Sequence, residues 1–292
     1  MLDTGSAHPL QPMTARIPTV ALSDGSRVPA LGLGTWHMGE SARQRSREAA
    51  ALKAGIALGM TLVDTAEMYG DGGAEEAVGD AIAGQRDRVF VVSKVYPHNA
   101  GAKGAIAACE RSLRRLRTDR LDLYLLHWRG GVPLAETVGA FERLRGEGKI
   151  LRWGVSNFDV DDMQALLALP EGRHCAANQV LYHLGERAAE WALAPLCRAR
   201  GIPLMAYCPL GEGALPGDRR LRTIARAIDA SAAQVALAWL LARGAIAIPK
   251  ASDIEHLRDN VGALAIDLPA ATLAAIDAVF PPPARATALG AI

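Results

Sequence analysis

The chain has almost no net charge and no long uncharged apolar run. Among its 292 residues, 32 Lys and Arg nearly balance 31 Asp and Glu, which leaves a net charge of +1. So weak a charge excludes nucleic-acid binding through the overall field of the protein, although a local basic patch stays open. No apolar run reaches the roughly 18 residues of a transmembrane helix. No basic segment leads into an apolar core at the N-terminus, so we expect neither export nor membrane insertion.

Cysteines are also few. Cys109, Cys175, Cys197 and Cys208 are scattered and form no C-x-x-C pair. This spacing favours reduced thiols over a disulfide framework or a zinc site. We therefore expect a cytoplasmic protein without a metal site. Half of the residues are hydrophobic, which excludes a disordered chain.

Short apolar runs alternate with segments of helical period along the chain. The predicted strands are Leu31–Trp36, Thr61–Ala66, Val89–Val95, Leu121–Trp128, Leu151–Asn157, Ala177–His183, Pro203–Leu210 and Ala245–Ala251. The predicted helices are Ala42–Leu58, Ala74–Ala83, Lys103–Arg117, Leu134–Glu147, Val160–Leu169, Ala188–Arg200 and Ser231–Arg243. The strands are nearly continuous hydrophobes, as in parallel sheets that are buried on both faces.

Eight strands with intervening helices favour an α/β fold of the (β/α)8 TIM barrel type. A doubly wound sheet is the competing fold, but Gly32-Leu-Gly34-Thr-Trp-His does not complete the G-x-G-x-x-G turn that it would carry. The segment Val20–Val28 predicts a β-hairpin that caps the bottom of the barrel.

The chain divides into a leader and one folded domain. Residues 1–16 mix Gly, Ser, Pro and Gln without periodicity, so they predict a flexible N-terminal leader, in which Met13 is a second candidate start. Residues 17–292 are then a single barrel domain with a short tail after Phe280.

Polar side chains stand where the predicted strands end. They are Asp64, Tyr69, Lys94, Tyr96, His127, Ser156, Asn157, Gln179, Tyr207 and Lys250. Each alone has an ordinary structural explanation, such as a helix cap for the aspartate or a surface charge for a lysine. In a barrel, however, the carboxyl ends of the strands meet at one mouth, where active sites lie. Together they predict an active site.

This set of residues suggests proton transfer by a tyrosine. A free phenol has a pKa of about 10, which is too high for efficient acid–base catalysis at neutral pH. We expect the ammonium of Lys94 to lower the pKa of Tyr69, and Asp64, on the adjacent strand, to orient Lys94. A neutral His127 would donate a hydrogen bond to a substrate carbonyl oxygen. No side chain can deliver a hydride, so the set implies a nicotinamide cofactor.

Six passages resemble the aldo-keto reductase superfamily, in particular its bacterial members. They are Asp64-Thr-Ala-Glu-Met-Tyr69-Gly, Val92-Ser-Lys94-Val, Leu121-Asp-Leu-Tyr-Leu-Leu-His127-Trp, Gly154-Val-Ser-Asn157-Phe, Ala206-Tyr207-Cys-Pro-Leu210-Gly and Ile248-Pro-Lys250. The resemblance extends from about Ile17 to Phe280. It implies NADPH-dependent reduction of aldehydes and ketones to alcohols, with Tyr69 as the general acid. Lys94, Asp64 and His127 would complete a catalytic tetrad.

The resemblance also implies a binding site for NADPH. The matching positions contact the nicotinamide (Ser156, Asn157, Gln179 and Tyr207, the last by stacking), the pyrophosphate (Cys208 and Leu210) and the adenine (Asp259 and Asn260).

The choice between NADPH and NADH depends on the last strand and the helix after it. Lys250 matches the lysine that meets the 2′-phosphate, and positive charge there selects NADPH. The Ser or Thr that often follows this lysine is Ala251 here, with Ser252 next. His256 stands where many members carry an arginine and would supply charge only when protonated. Arg258 is offset by two residues and would face another direction. We expect a preference for NADPH that is weaker than in members with both cations.

The substrate pocket would be formed by Trp36, Tyr96 and Trp128 together with Tyr69 and His127. Aromatic walls with few polar groups suit small carbonyl compounds. The tail after Phe280 is short, whereas many steroid-reducing members use a longer one. The short tail is similar to bacterial members that reduce methylglyoxal and other small aldehydes.

Two other functions stay open at this stage. A regulatory subunit of a membrane channel can share this barrel and keep the tetrad, so the tetrad does not discriminate against it. A barrel aldolase would use Lys94 as a Schiff-base nucleophile, against which Tyr69 and the nicotinamide contacts argue. The default expectation for the oligomeric state is a monomer.

Overall fold

The computed structural model describes residues 16–292. The predicted leader, including Met13, therefore lies outside the described residues except for Arg16. Residues 16–292 contain ten strands: β1 (Thr19–Ala21), β2 (Arg27–Pro29), β3 (Leu33–Gly34), β4 (Leu62–Asp64), β5 (Phe90–Val95), β6 (Leu123–Leu126), β7 (Trp153–Ser156), β8 (Cys175–Leu181), β9 (Leu204–Tyr207) and β10 (Ile246–Ala247).

Eleven α-helices surround the strands in the same range. They are α1 (Arg45–Ala57), α2 (Gly73–Ile82), α3 (Gly104–Leu116), α4 (Leu134–Gly146), α5 (Val160–Leu167), α6 (Leu193–Ala199), α7 (Ala214–Gly217), α8 (Arg219–Arg226), α9 (Ala232–Ala242), α10 (Ile254–Gly262) and α11 (Ala270–Val279). None of the described helices is long and apolar enough to cross a membrane.

The strands β3 to β10 form one parallel sheet in sequence order, and this sheet closes on itself. At the seam, the amide of Gly32 donates to the carbonyl of Ala247 at 2.8 Å, and the amide of Ala247 donates to the carbonyl of Ala30 at 2.8 Å. Because the first strand is thereby bonded to the last, the sheet has no open edge. The predicted (β/α)8 barrel is confirmed.

The N-terminal hairpin caps the barrel, as predicted. Strands β1 and β2 pair antiparallel, and Leu22 and Val28 are buried. These two side chains belong to the apolar cluster of the barrel interior, with Leu62, Leu123 and Met205. The larger apolar cluster packs the outer face of the strands against the helices. The bottom of the barrel is therefore filled, and the functional groups lie at the opposite end.

Some helices differ from the prediction. The segment Ala188–Arg200 is not one helix, because only residues 188–190 form a 3-10 turn before α6 begins at Leu193. Pro195 explains the late start, since a proline lacks an amide hydrogen and is tolerated in the first turn of a helix. The structure also adds α7, α8 and α11. The last of these follows Pro269 and is rich in alanine, a pattern that favours a helix.

Candidate active site

Lys94 forms the centre of the site at the mouth of the barrel. It lies on β5 and is fully buried. Its Nζ donates to both carboxylate oxygens of Asp64, at 2.7 and 2.9 Å, to the carbonyl of Thr65 at 3.0 Å and to Oη of Tyr69 at 3.2 Å. Asp64 ends the neighbouring strand β4, so the sheet register brings the two charges together. The expected Asp64–Lys94 pair is therefore present.

The ion pair is stable because each charge compensates the burial of the other. Burial raises the pKa of Asp64, whereas the charge of Lys94 lowers it. Burial likewise lowers the pKa of Lys94, and Asp64 raises it. Gln179 adds a further hydrogen bond, from Nε2 to Oδ1 of Asp64 at 2.8 Å. A buried pair with good geometry and additional hydrogen bonds can stay ionised.

Tyr69 is presented by a short 3-10 turn, Tyr69–Gly72, between β4 and α2. Gly70 in this turn has φ +56°, and a Cβ there would lie 2.6 Å from the backbone of Gly39. A side chain at this position would push the turn away from its neighbour. The turn thus holds the phenol over the Lys94 ammonium, which lies 4.8 Å from the centroid of the ring.

The expectation that Lys94 lowers the pKa of Tyr69 is wrong in this structure. Burial raises the pKa of Tyr69 well above its ordinary value, and the charge of Asp64 raises it further. The main reason is that burial disfavours the charged phenolate, and the nearby Asp64 carboxylate disfavours it as well. Tyr69 keeps its proton at neutral pH, which is the form that a general acid needs.

His127, just after β6, is neutral, as expected. Burial lowers its pKa well below the ordinary value, and the charge of Lys94 lowers it further. The rings of Tyr69 and His127 lie 5.8 Å apart between centroids. Within residues 16–292, the buried Nδ1 of His127 has no hydrogen-bond partner. The imidazole therefore has unused hydrogen-bonding capacity beside the phenol.

One cavity of about 650 Å³ joins the tetrad to most of the other predicted positions. The predicted residues on its wall are Trp36, Asp64, Tyr69, His127, Trp128, Ser156, Asn157, Gln179, Tyr207, Cys208, Leu210, Lys250, His256, Asp259 and Asn260. Lys94 lies behind Asp64 and Tyr69. A volume of this size is typical of a small-molecule site.

The structure does not bring Tyr96 and Ser252 to the wall of this cavity. The backbone amide of Tyr96 donates to Oε1 of Glu67 at 2.9 Å, and its ring packs edge-on against Trp128 at 5.9 Å. Tyr96 therefore supports Trp128 from behind. Ser252 is half-buried in the connection between β10 and α10.

Hydrogen bonds hold the polar groups of the cavity wall in place. Oη of Tyr207 donates to Oδ1 of Asn157 at 2.9 Å, and Nδ2 of Asn157 donates to the carbonyl of His127 at 3.2 Å. At the end of the cavity wall formed by α10, Oγ of Ser231 donates to Oδ2 of Asp259 at 2.9 Å. Because these contacts already order the side chains, ligand binding costs less conformational entropy.

The residues fit a phosphate-bearing dinucleotide. Lys250 and His256 are exposed side chains on the cavity wall, beside the buried Asn260. The Lys250 ammonium is suited to a phosphate group, the His256 ring can hydrogen-bond to one, and a buried amide on a cavity wall is suited to hydrogen bonding with a base. Within residues 16–292, no group of three or more His, Cys, Asp or Glu side chains could hold a metal ion.

The structure adds residues that the sequence did not indicate. Oγ1 of Thr35 donates to the carbonyl of Asp64 at 2.9 Å, and both residues line the cavity. Glu212, Gly213 and Ile292 line it as well. Glu212 and Gly213 lie two and three residues after Leu210, a predicted pyrophosphate contact, and this proximity could have indicated them. Ile292 carried no signal, because only the folded path of the tail brings it there.

Comparison with known proteins gives a consistent result. The chain is 54% identical over 276 residues to the methylglyoxal reductase YeaE of Escherichia coli, covering 92% of this chain and 97% of that protein. It is 36% identical over 264 residues to a glyoxal reductase of Bacillus subtilis, covering 89% and 92%.

Solved structures agree with this result. An aldo/keto reductase of Klebsiella pneumoniae in complex with NADP and acetate is 53% identical, covers 94% of this chain and all of its own, and superposes with a TM-score of 0.92. A thermostable aldo-keto reductase in complex with epalrestat is 36% identical, with a TM-score of 0.85 over 90% of this chain and all of its own. Residues 30–280 also match the family described as aldo/keto reductase. The chain therefore belongs to the aldo/keto reductase family of oxidoreductases.

Proposed function

We propose that this chain reduces small aldehydes and ketones to alcohols with NADPH, and that 2-oxoaldehydes such as methylglyoxal are among its substrates. The observation that carries the proposal is the contact of Lys94 with both Asp64 and Tyr69, beside a neutral His127. The names of the relatives support the substrate class, since they are a methylglyoxal reductase and a glyoxal reductase.

The side chains of this site perform the proton transfer. When bound, NADPH supplies the hydride for the carbonyl carbon. The neutral His127 donates a hydrogen bond to the carbonyl oxygen and fixes its direction. Tyr69 gives its proton to this oxygen, and the resulting phenolate lies 3.2 Å from Nζ of Lys94. The ammonium stabilises that phenolate, while Asp64 holds the ammonium in place.

The cofactor-binding positions implied by the resemblance are part of the proposal. Ser156, Asn157, Gln179 and Tyr207 would hold the nicotinamide, Cys208 and Leu210 the pyrophosphate, Lys250 and His256 the 2′-phosphate, and Asp259 and Asn260 the adenine. Ser252, which does not reach the cavity wall, has no role in this proposal. Relatives crystallised with NADP and with NADPH support this placement. Trp36 and Trp128 would form the substrate walls, and Tyr96 would support the second of these.

The alternatives are less well supported. A Schiff-base aldolase would need Nζ of Lys94 free and facing the cavity, but this atom contacts four acceptors and lies behind Asp64. A channel subunit has no support from the relatives named above. A monomer, a cytoplasmic location and a single domain over residues 17–292 complete the proposal.

The proposal is tested by following NADPH oxidation with methylglyoxal, glyceraldehyde and 4-nitrobenzaldehyde. The matched variant is Tyr69→Phe, which removes only the phenolic oxygen. We expect turnover by the natural chain, a loss of at least about 100-fold in kcat for the variant, and an unchanged Kd for NADPH measured by fluorescence. Equal turnover by the variant would refute the role of Tyr69. Tight NADPH binding without turnover of any of these compounds would refute the substrate class.

A further inference from the structure

A second buried carboxylate lies behind the tetrad. Glu75, near the start of α2, has no solvent exposure. Its Oε1 accepts a hydrogen bond from Oγ of Ser93 at 2.6 Å, and its Oε2 accepts one from Nε of Arg115 at 2.6 Å. Burial of a carboxylate is costly unless it is paired and hydrogen-bonded, and both conditions are met here.

The hydrogen bond from Ser93 fixes the strand that carries Lys94. Successive side chains of a strand point to opposite faces, so Ser93 points to the helices while Lys94 points into the barrel. Both residues are fully buried. Glu75 therefore anchors the outer face of β5 at Ser93. The side chain of Lys94, the next residue, projects from the inner face.

Arg115, on α3, contacts the turn that carries Tyr69. A Cβ on Gly72, the last residue of this turn, would lie 2.5 Å from Cδ of Arg115, so the arginine side chain packs directly against the turn. Gly72 also has φ +92°, a conformation that glycine adopts without strain. The guanidinium thus lies between the Tyr69 turn and the carboxylate bound to the Lys94 strand.

We propose that Glu75 and Arg115 form a positioning pair, which sets the separation between Tyr69 and Lys94 at the distance required for proton transfer. This inference rests on the proposed roles of Tyr69 and Lys94. The pair touches neither substrate nor cofactor, so its effect passes through the backbone of the turn and of β5. A displacement of about 1 Å at the reacting groups can cost about 100-fold in rate.

The charge of Glu75 has an additional electrostatic effect. It raises the pKa of Lys94 and so opposes the effect of burial. The other titratable groups around Lys94 are Asp64 on β4, Tyr69 on its turn, His127 after β6 and Cys208 after β9. Without the carboxylate charge, Lys94 loses its proton at lower pH and then no longer stabilises the phenolate. The alkaline limb of the kcat profile then moves to lower pH.

A neighbouring pair provides an internal comparison. Glu67 accepts hydrogen bonds from the amide of Tyr96 at 2.9 Å and from Nδ2 of Asn99 at 3.0 Å, and it pairs with Arg111 at 3.3 Å. Arg111 lies one helical turn before Arg115 on α3. This pair holds the segment after β5, whereas the Glu75–Arg115 pair holds β5 at Ser93 and packs against the Tyr69 turn.

The decisive variant is Glu75→Gln, which keeps the shape and one acceptor oxygen but removes the charge and replaces the second acceptor with an amide donor. We expect kcat to fall by about tenfold, the Kd for NADPH to stay within about twofold, and the alkaline limb to move to lower pH. Glu75→Asp keeps the charge, so its alkaline limb should remain in place. The control is Glu110→Gln on α3, the helix of Arg115, which removes a half-exposed ion pair with Lys149 and should change neither kcat nor the pH profile.

Ser93→Ala provides a second route if Glu75→Gln does not fold. It removes only the bond to the strand and should lower kcat without weakening NADPH binding. The inference would be overturned if both variants had the same kcat and the same pH profile as the natural chain. A loss of kcat accompanied by weaker NADPH binding, a lower Tm and an unshifted pH profile would also overturn it. Tyr69→Phe is measured in parallel, because an active Tyr69→Phe refutes the proposed catalytic role itself, whatever Glu75→Gln does.

Discussion

Nζ of Lys94 lies 2.7 Å from Oδ2 of Asp64 but 3.2 Å from Oη of Tyr69. The lysine is therefore primarily the ion-pair partner of the aspartate, and its hydrogen bond to the phenol is the longer contact. Burial, more than either distance, raises the pKa of Tyr69 and keeps the phenol protonated before reaction. It also makes Lys94 important for the stability of the barrel, because Asp64 without it would be a buried charge with only Gln179 as a side-chain donor.

The Lys94→Met variant should lose both activity and stability. Methionine keeps most of the volume but leaves Asp64 unpaired, at a cost of about 3 kcal/mol in the free energy of unfolding at neutral pH. Burial already raises the pKa of Asp64, and the loss of Lys94 raises it further. As the pH falls, the folded state therefore binds a proton at Asp64 before the unfolded state does. The deficit relative to the natural chain should therefore shrink as the pH falls from 8 towards 5.

Denaturant unfolding of both proteins at several pH values measures this effect. A deficit that stays constant with pH would show that lost packing, rather than the charge of Asp64, causes the destabilisation. The kcat of the variant should be lower by at least about 100-fold, because no ammonium stabilises the phenolate. A fully active variant would exclude Lys94 from the mechanism.

Asp64, Lys94 and His127 could be predicted because each is a polar group that lies in or closes a buried apolar strand, and Tyr69 because it lies in the turn after the strand that ends at Asp64. The fold then brings these strand ends together without further information. The pKa of Tyr69 could not be predicted in the same way. Its direction depends on how deeply the phenol is buried and on how close it lies to the Asp64 carboxylate, and a strand pattern encodes neither.

Glu75 and Arg115 could not be predicted for a related reason. Glu75 is adjacent to Glu76, and Arg115 is adjacent to Arg114, so the sequence does not show which member of each pair faces inward. Charged helix residues are usually exposed, and burial becomes evident only when α2 and α3 pack against β5. The arginine and the carboxylate are 40 positions apart in the sequence, and only the fold makes them partners.

Lys250→Ala should weaken the binding of NADPH and hardly change that of NADH. Lys250 is exposed on the cavity wall, and the two cofactors differ only in the 2′-phosphate that it is proposed to meet. We expect the Kd for NADPH to rise about tenfold, which corresponds to the loss of one charge-assisted contact. Fluorescence titration with each cofactor provides the measurement.

Arg258→Ala is the matched control for this prediction. Arg258 is a nearby exposed cation, but it pairs with Glu255 at 2.8 Å, and the sequence register turns it away from His256. Its removal should leave both Kd values unchanged. If Lys250→Ala weakened both cofactors equally, Lys250 would not be the contact of the 2′-phosphate.

Glu212→Gln should tighten the binding of both cofactors. Glu212 is an exposed carboxylate on the wall of the cavity, next to the proposed pyrophosphate contacts, and it repels an anionic ligand. Loss of this charge should lower both Kd values by about two- to fivefold at low salt, and the gain should decrease as salt screens the repulsion. Titrations of NADPH and NADH at two ionic strengths measure it.

Glu171→Gln is the control for the effect of net charge. Glu171 is exposed in the turn that precedes β8, at the amino end of the strand and so on the side of the barrel away from the mouth. The Glu171→Gln variant loses the same charge as Glu212→Gln, but far from the cavity, and both of its Kd values should be unchanged. An equal gain from Glu171→Gln would mean that the whole-protein field acts on the cofactor. A gain for NADPH alone would instead place Glu212 beside the 2′-phosphate, because the pyrophosphate is common to both cofactors.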